Sequence, residues 1–351
     1  MCILAKVQHE SDAQKALSIE CQPWSRGGQF FDVDAQAAQF HGYDQQYQQL
    51  SKGSFRGQFQ SFIFSPRLGI HVEQANRVLA QAAATPIGRF GVSFLRDNSS
   101  PCKLNAQEFT DEHVALYPQA LCVEAKTGEG LNMCCMDIAC ELLPDDRLNL
   151  PTSTIFANAR LTHLLRELVQ SGINDASTLS QPEGHPAAAK AFESSLIDLL
   201  WHIANSSQEE HTSQSHFVGR LQAFRQARDY IHDGLQDGIT IIELCRNLKV
   251  NRRALEKIFR TVVGMGPGNY IRALQLNQVR RDLSLPQNAN LSIGDIAASR
   301  GMWHWSRFTR RYQLMFGELP SQTRLRNGIA LPLTAVRPGI STTPQARVLN
   351  R

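Results

Sequence analysis

Through the last third of the chain, apolar residues recur every three or four positions, the spacing that leaves one face of a helix apolar and the other polar. After Thr240, the residues Ile241, Ile242, Leu244, Cys245 and Leu248 mark one such helix, which stops at Lys249 and Val250. A second is predicted from Asn251, whose side chain can cap exposed backbone N–H groups, with Leu255, Ile258, Phe259 and Val262 as its buried stripe. At about 100° per residue, Arg253, Glu256, Lys257 and Arg260 fall within one arc on the opposite side. The arrangement then repeats. Ser292, Ile293, Ile296, Ala297 and Ala298 form a supporting helix, Gly301 breaks it, and a further helix is predicted from about His304 to Phe316. Its buried stripe is Trp305, Phe308, Tyr312, Met315 and Phe316; Ser306, Thr309, Arg310 and Gln313 lie opposite, with Arg307 at the edge. Gly317 ends this helix and Pro320 blocks its continuation.

Between these two helix-turn-helix patterns, the apolar residues of 269–284 fall on two arcs: Tyr270, Ile271 and Leu274 on one, Leu276, Val279 and Leu283 on the other. A helix with two apolar faces packs against two bodies, here the two units. About 15 residues at about 1.5 Å each make a strut of roughly 22 Å. With the width of the flanking units added, that spacing suits successive major-groove segments, about 34 Å apart and each wide enough to admit a helix.

Upstream the period changes. Residues 32–49 are rich in Gln and Ala with Phe40, Tyr43 and Tyr47, a pattern read as one docking helix. From 54 to 66 alternation marks a strand, and further strands are predicted at 68–74, 88–95, 120–125 and 131–142, punctuated by Pro101, Pro118 and the turn at Gly128, Glu129 and Gly130. Short strands with turn-rich joints imply a small sandwich or barrel. Two helices follow, with stripes Leu161, Leu164, Leu165, Leu168 and Phe192, Leu196, Leu199, Leu200, Ile203; they either cover the sheet or pair two subunits. Residues 205–215 hold no apolar side chain, so 205–217 is expected to be a flexible linker dividing domains at 1–204 and 218–328. Residues 329–351, rich in Pro, Thr and Ser, are expected to be a disordered tail.

Charge separates the same two regions. Residues 217–328 hold 18 Lys and Arg against 8 Asp and Glu, a balance of +10 in a chain whose total is +4, so the remainder carries −6. A basic module on an acidic partner domain fits nucleic-acid binding by the former. No targeting segment or membrane span is visible, so the cytoplasm is expected. Among His9, His41, His71 and His113, only His71 has a second candidate ligand on its own strand face, Glu73, and no catalytic set or cofactor motif is found, so neither enzyme activity nor a cofactor is expected. Cys122, Cys134, Cys135 and Cys140 lie in strand-like segments without paired spacing, as small buried residues do. A metal-binding or redox-active N-terminal domain tethered to DNA is the alternative reading.

The C-terminal third resembles the DNA-binding domain of the AraC/XylS family of bacterial transcription regulators. The resemblance rests on Ile241, Glu243, Leu244 and Cys245; Asn251, Leu255 and Phe259; Gly264, Gly266 and Pro267; Leu276, Val279, Arg280, Arg281 and Leu283; Ile296 and Ala297; and Phe308, Tyr312, Phe316, Gly317 and Pro320. Within the family, Arg280, Arg281 and the run 302–308 look most like the ethanolamine-operon regulator. Asn251 stands where the family has Ser or Thr, and Met302 replaces an aromatic. The resemblance implies an α+β two-domain protein: a cupin-like β-rich effector domain with covering helices, then an all-α tandem helix-turn-helix domain. It also implies an activator that binds operator DNA as a homodimer, engages RNA polymerase and responds to a small-molecule effector, with no effector residue assigned. Carried onto this sequence, the base-reading residues are Arg253, Glu256, Lys257, Ser306, Arg307, Thr309 and Arg310. Lys249, Arg252, Arg260 and Arg272 are phosphate contacts. Trp305 is expected in the core, and Trp303 is free to stack on sugar or base.

Overall fold

The computed structural model describes residues 25–40, 42–97, 100–143, 154–179, 186–206, 214–235 and 238–329, leaving aside the side chains at 176–179, 186, 206 and 214–217. A seven-stranded antiparallel sheet runs in the order β1 (Ser25–Phe30), β3 (Gly57–Ser65), β4 (Leu68–Ala75), β11 (Leu131–Ala139), β6 (Arg89–Leu95), β9 (His113–Tyr117), β12 (Thr154–Ala157). A five-stranded sheet packs on it in the order β2 (Asp44–Gln49), β5 (Leu79–Ala84), β10 (Cys122–Lys126), β7 (Cys102–Leu104), β8 (Gln107–Phe109). The strands expected at 54–66, 68–74, 88–95, 120–125 and 131–142 are present with shifted ends, and Cys140–Leu142 closes the last as a 3-10 turn.

Period-two alternation sorts the side chains of the large sheet. On β4, Leu68, Ile70 and Val72 point outward, under α2 (Ala159–Leu179) and α3 (Pro186–Ser206), which cover them with Leu165, Val169, Leu196, Leu200 and Ile203. The alternate residues His71, Glu73 and Ala75 occupy the other face, where Tyr47, Leu79, Leu104 and Val123 of the small sheet form a core with Ala75, Leu95, Ala115 and Leu131. Leu164, placed in the apolar stripe of α2, is instead 45% exposed.

The single helix expected across 32–49 does not form. Asp32 Oδ1 accepts from the N–H groups of Asp34 and Ala35 at 3.0 and 3.1 Å and caps a helix of only five residues, α1 (Val33–Ala37). The chain then extends into β2, which pairs along its whole length with β5 and buries Tyr47. The polar β2 and the Ala-rich β5 carry little strand propensity of their own; their pairing supplies it.

The C-terminal half contains α4 (Gln214–Asp233), α5 (Ile241–Asn247), α6 (Arg252–Val263), α7 (Pro267–Ser284), α8 (Ile293–Ala298), α9 (Trp305–Phe316) and α10 (Pro320–Arg326). At 18 residues, α7 is longer than expected, about 27 Å. It meets both units: Tyr270 lies edge-on to Phe259 at 5.5 Å, and Arg280 lies over the Phe316 ring at 4.8 Å. Leu50, Ala80 and Ala106 from the N-terminal half join this helical core. Gln49 and Asn277 bond reciprocally, Gln49 N–H to Asn277 Oδ1 at 3.1 Å and Asn277 Nδ2 to the Gln49 carbonyl at 3.0 Å.

Residues 207–213 of the expected linker lie outside the described residues, and its flanks end α3 and begin α4. His9, His41 and the expected tail from 330 onward also lie outside them. Among the described residues, no helix is long and apolar enough to cross a membrane.

Candidate nucleic-acid interface

Caps fix both ends of α6 and the C-terminal end of α9, whose first flanking residue, His304, makes no side-chain cap hydrogen bond. Asn251 Oδ1 accepts from the Ala254 N–H at 2.8 Å to start α6, and Gly264 (φ 73°) and Gly317 (φ 71°) end α6 and α9 in the left-handed conformation that glycine adopts without a Cβ penalty. The supporting helices begin at Thr240, in a reciprocal capping box with Glu243, and at Ser292, which accepts from the Asp295 N–H at 3.0 Å. The second unit turns at Gly301 (φ 76°), the first at Lys249, a side-chain-bearing residue at φ 53°.

On α6, Leu255, Ile258, Phe259 and Val262 are buried, and Arg252, Arg253, Lys257 and Arg260 are exposed. Arg252, Arg253 and Lys257 form no ion pair among the described residues, whereas Glu256 accepts from Arg260 Nε at 2.9 Å. These five residues line a cleft of about 1210 Å³ with Arg220 of α4; its other wall is Lys103, Ala106 and Glu108 of the β7–β8 hairpin. The hairpin turns through Asn105 (φ 47°) and Ala106 (φ 70°), both positive as tight two-residue turns require. Lys103 Nζ donates to the Thr261 carbonyl at 2.8 Å, tying the hairpin to the last turn of α6.

On α9, Ser306, Arg307 and Arg310 are exposed over buried Phe308, Tyr312, Met315 and Phe316. Two placements differ from expectation. The Thr309 hydroxyl is buried without a hydrogen-bond partner among the described residues, while the residue as a whole is half-buried. Trp305 is 54% exposed and Trp303 74% exposed; Trp305 opens the helix, where no preceding turn covers it, and meets Phe308 only at its flank, 5.8 Å between centroids. Arg311, outside the arc expected to face DNA, is also exposed on α9. Burial, then the neighbouring charges of Arg272 and Arg307, lower its pKa, so three arginines from α7 and α9 gather in one patch. The four-residue step from Arg307 to Arg311 is the signal of it in the sequence. Arg272 Nη1 also donates to Asn269 Oδ1 at 2.9 Å, and Lys249 is exposed.

His71 and Glu73, the candidate metal ligands, are otherwise engaged. His71 and Glu73 do share a face of β4, but the His71 ring nitrogens meet Ser61 Oγ at 3.0 Å and Asp137 Oδ1 at 2.7 Å, and Arg89 also pairs with Asp137. Among the described residues, no three His, Cys, Asp or Glu gather to hold a metal ion. Burial pushes the Cys134 thiol up to about 12 and raises Cys135 and Cys140 as well, which disfavours the reactive thiolate.

Residues 244–326 match the family model described as a helix-turn-helix domain. The "XylDLEGF operon transcriptional activator 3" of Pseudomonas putida is 34% identical over 117 residues, 33% of this chain and 35% of that protein. The "XylDLEGF operon transcriptional activator 2" of the same organism is 33% identical over 113 residues, 32% of this chain and 72% of that protein. The chain belongs to the AraC/XylS family of transcription regulators. Among solved structures, that of the AraC-like transcriptional activator CuxR shares 16% identity at a TM-score of 0.41, over 72% of this chain and 94% of that one. This AraC/XylS-family chain spans about a third of the length of the first relative, and the residues that match the family model, 244–326, include α6 and α9.

Proposed function

We propose that this protein is a sequence-specific DNA-binding activator of transcription, acting in the cytoplasm as a homodimer, whose N-terminal domain binds a small-molecule effector. The observation that carries the reading is the pair of helices, α6 and α9, with cationic outward faces, packed towards the two ends of one continuous strut, α7. Arg253, Glu256 and Lys257 read bases in one major-groove segment, and Ser306, Arg307, Thr309 and Arg310 read them in the next. Glu256 must exchange its partner Arg260 for a base to do so. Lys249, Arg252, Arg260, Arg272 and Arg311 hold phosphates, which add affinity without sequence information. The relatives' names support activation, and RNA polymerase is the partner an activator engages.

Effector control requires two arrangements that the ligand binds unequally. The described arrangement is the closed one: the β7–β8 hairpin, with the Glu108 carboxylate, stands opposite the reading face of α6, so a duplex seated on α6 displaces it. The short α1 connects this closure to the space between the sheets. Its Gln36 donates to Glu73 there, while Asp32 and Asp34 hold Arg280 and Arg281 of α7.

The test is selection of fragmented source DNA by the purified full-length protein, with the bound fragments sequenced. A few strong sites beside a metabolic operon are expected. Uniform, salt-sensitive binding everywhere contradicts sequence-specific regulation.

A further inference from the structure

The cavity between the two sheets has a volume of about 90 Å³ and is lined by the aromatic rings of Phe40, Tyr43, Tyr47 and Tyr117. Among the described residues its lining includes one carboxylate, Glu73, and no Lys, Arg or His. Glu73 is 1% exposed and accepts from Gln36 Nε2 at 2.9 Å, Gln81 Nε2 at 3.1 Å and the Tyr47 hydroxyl. Three donors aim the carboxylate but bring it no positive charge, and its two oxygens retain room for a further donor. Burial raises its pKa, the mark of a carboxylate short of compensation, and its named partners among the described residues, Gln36, Tyr47 and Gln81, are all neutral. A second acceptor lines the same space: Gln45 Oε1 is buried without a hydrogen-bond partner among the described residues. A buried acceptor without a donor, and a buried carboxylate without a counter-charge, are each costly.

We propose that this cavity binds a small organic ammonium ion. Its N–H donors meet Glu73 and Gln45 Oε1, and its alkyl part lies against the aromatic rings, whose faces attract a cation. The inference rests on the reading of the N-terminal domain as an effector domain and narrows the effector's chemistry. A carboxylate or phosphate ligand finds a like charge there and no cation to hold it. Because Gln36 of α1 donates to the same carboxylate, an ammonium ion competes with the contact that joins α1 to the cavity.

Three probes of one shape separate these cases: tert-butylammonium, tert-butanol and pivalate, each titrated calorimetrically into the full-length protein and its Glu73→Gln and Tyr43→Leu variants. Tert-butylammonium is expected to bind about tenfold or more tightly than tert-butanol, and pivalate not at all. Glu73→Gln should abolish the preference for the cation over the alcohol. Tyr43→Leu, which keeps the carboxylate, should weaken the cation more than the alcohol, and gives the decisive comparison should Glu73→Gln fail to fold. Pivalate or the alcohol binding as well as the ammonium overturns the inference and leaves the effector reading standing. No binding by any probe to the unsubstituted protein, and no shift in its melting temperature, overturns both.

Discussion

Arg280 of α7 and Asp32 at the cap of α1, 248 positions apart in the chain, meet with Nε to Oδ2 at 3.0 Å. Arg280 is buried, also donates to Glu318 at 2.7 Å and covers Phe316, so one guanidinium braces the second reading unit and holds the N-terminal domain to it. Next to it, Arg281 donates to Asp34 and to the Tyr47 carbonyl. Replacing both acids, Asp32→Asn with Asp34→Asn, removes the N-terminal half of this clamp without touching a DNA-facing residue. Stability should fall by about 1–2 kcal/mol in urea unfolding, and operator affinity without effector should rise. Unchanged or lower affinity would mean that the clamp does not restrain DNA binding.

The clamp also has a pH signature. Burial of Asp32 acts to raise its pKa but is outweighed by the Arg280 guanidinium and the N–H groups of Ala35 and Asp34, so the folded value lies below the ordinary one. A depressed carboxyl contributes stability that is present above its unfolded pKa, about 3.9, and lost as pH falls through the folded value. The stability gap between the unsubstituted protein and Asp32→Asn should hold steady from about pH 7 to 5 and close below about pH 4. A gap that closes near neutral pH would assign the linkage to a different group.

The Asn277 side chain satisfies both the N–H and the carbonyl of buried Gln49, whose own amide donates to the Met315 carbonyl at 2.6 Å near the end of α9. Asn277→Ala leaves those backbone groups without partners, at about 1–3 kcal/mol for each. Denaturant unfolding should then separate into two transitions as the domains uncouple. Persistence of a single transition at the original midpoint would show that water replaces the lost bonds.

Lys249 holds a left-handed turn that Gly301 holds in the second unit. Lys249→Gly relieves a strain of about 1 kcal/mol but removes an exposed positive charge, which is proposed above to hold a phosphate. The protein should keep or gain stability while binding specific and random DNA equally more weakly, with a salt slope lower by about one. A loss confined to the operator would make Lys249 a base reader.

The helical half is legible in the sequence because its determinants are local. Thr240, Asn251 and Ser292 sit at the caps they announce, and the stripes of α6 and α9 are buried as spaced, Trp305 excepted because a first-turn residue lacks a covering turn. The sandwich is only partly legible. The strands of the large sheet announce themselves by alternation or by apolar stretches such as those of β6 and β11, while β2 and β5 are strands by virtue of each other. The face of β4 that carries His71 and Glu73 reads as sparse polar residues until Gln36, Gln45 and Gln81 are brought to it from outside the strand. The clamp is invisible in sequence, since Asp32 and Asp34 have no pattern with residues some 250 positions away.

The most direct test of two-unit reading is methylation protection of an operator, selected as above, by the unsubstituted protein and by Arg253→Ala and Arg310→Ala. Two protected major-groove segments about 34 Å apart are expected, with Arg253→Ala losing one and Arg310→Ala the other, each at about 1–3 kcal/mol of operator affinity. A single protected segment that both substitutions weaken alike would contradict the assignment of one reading helix to each groove.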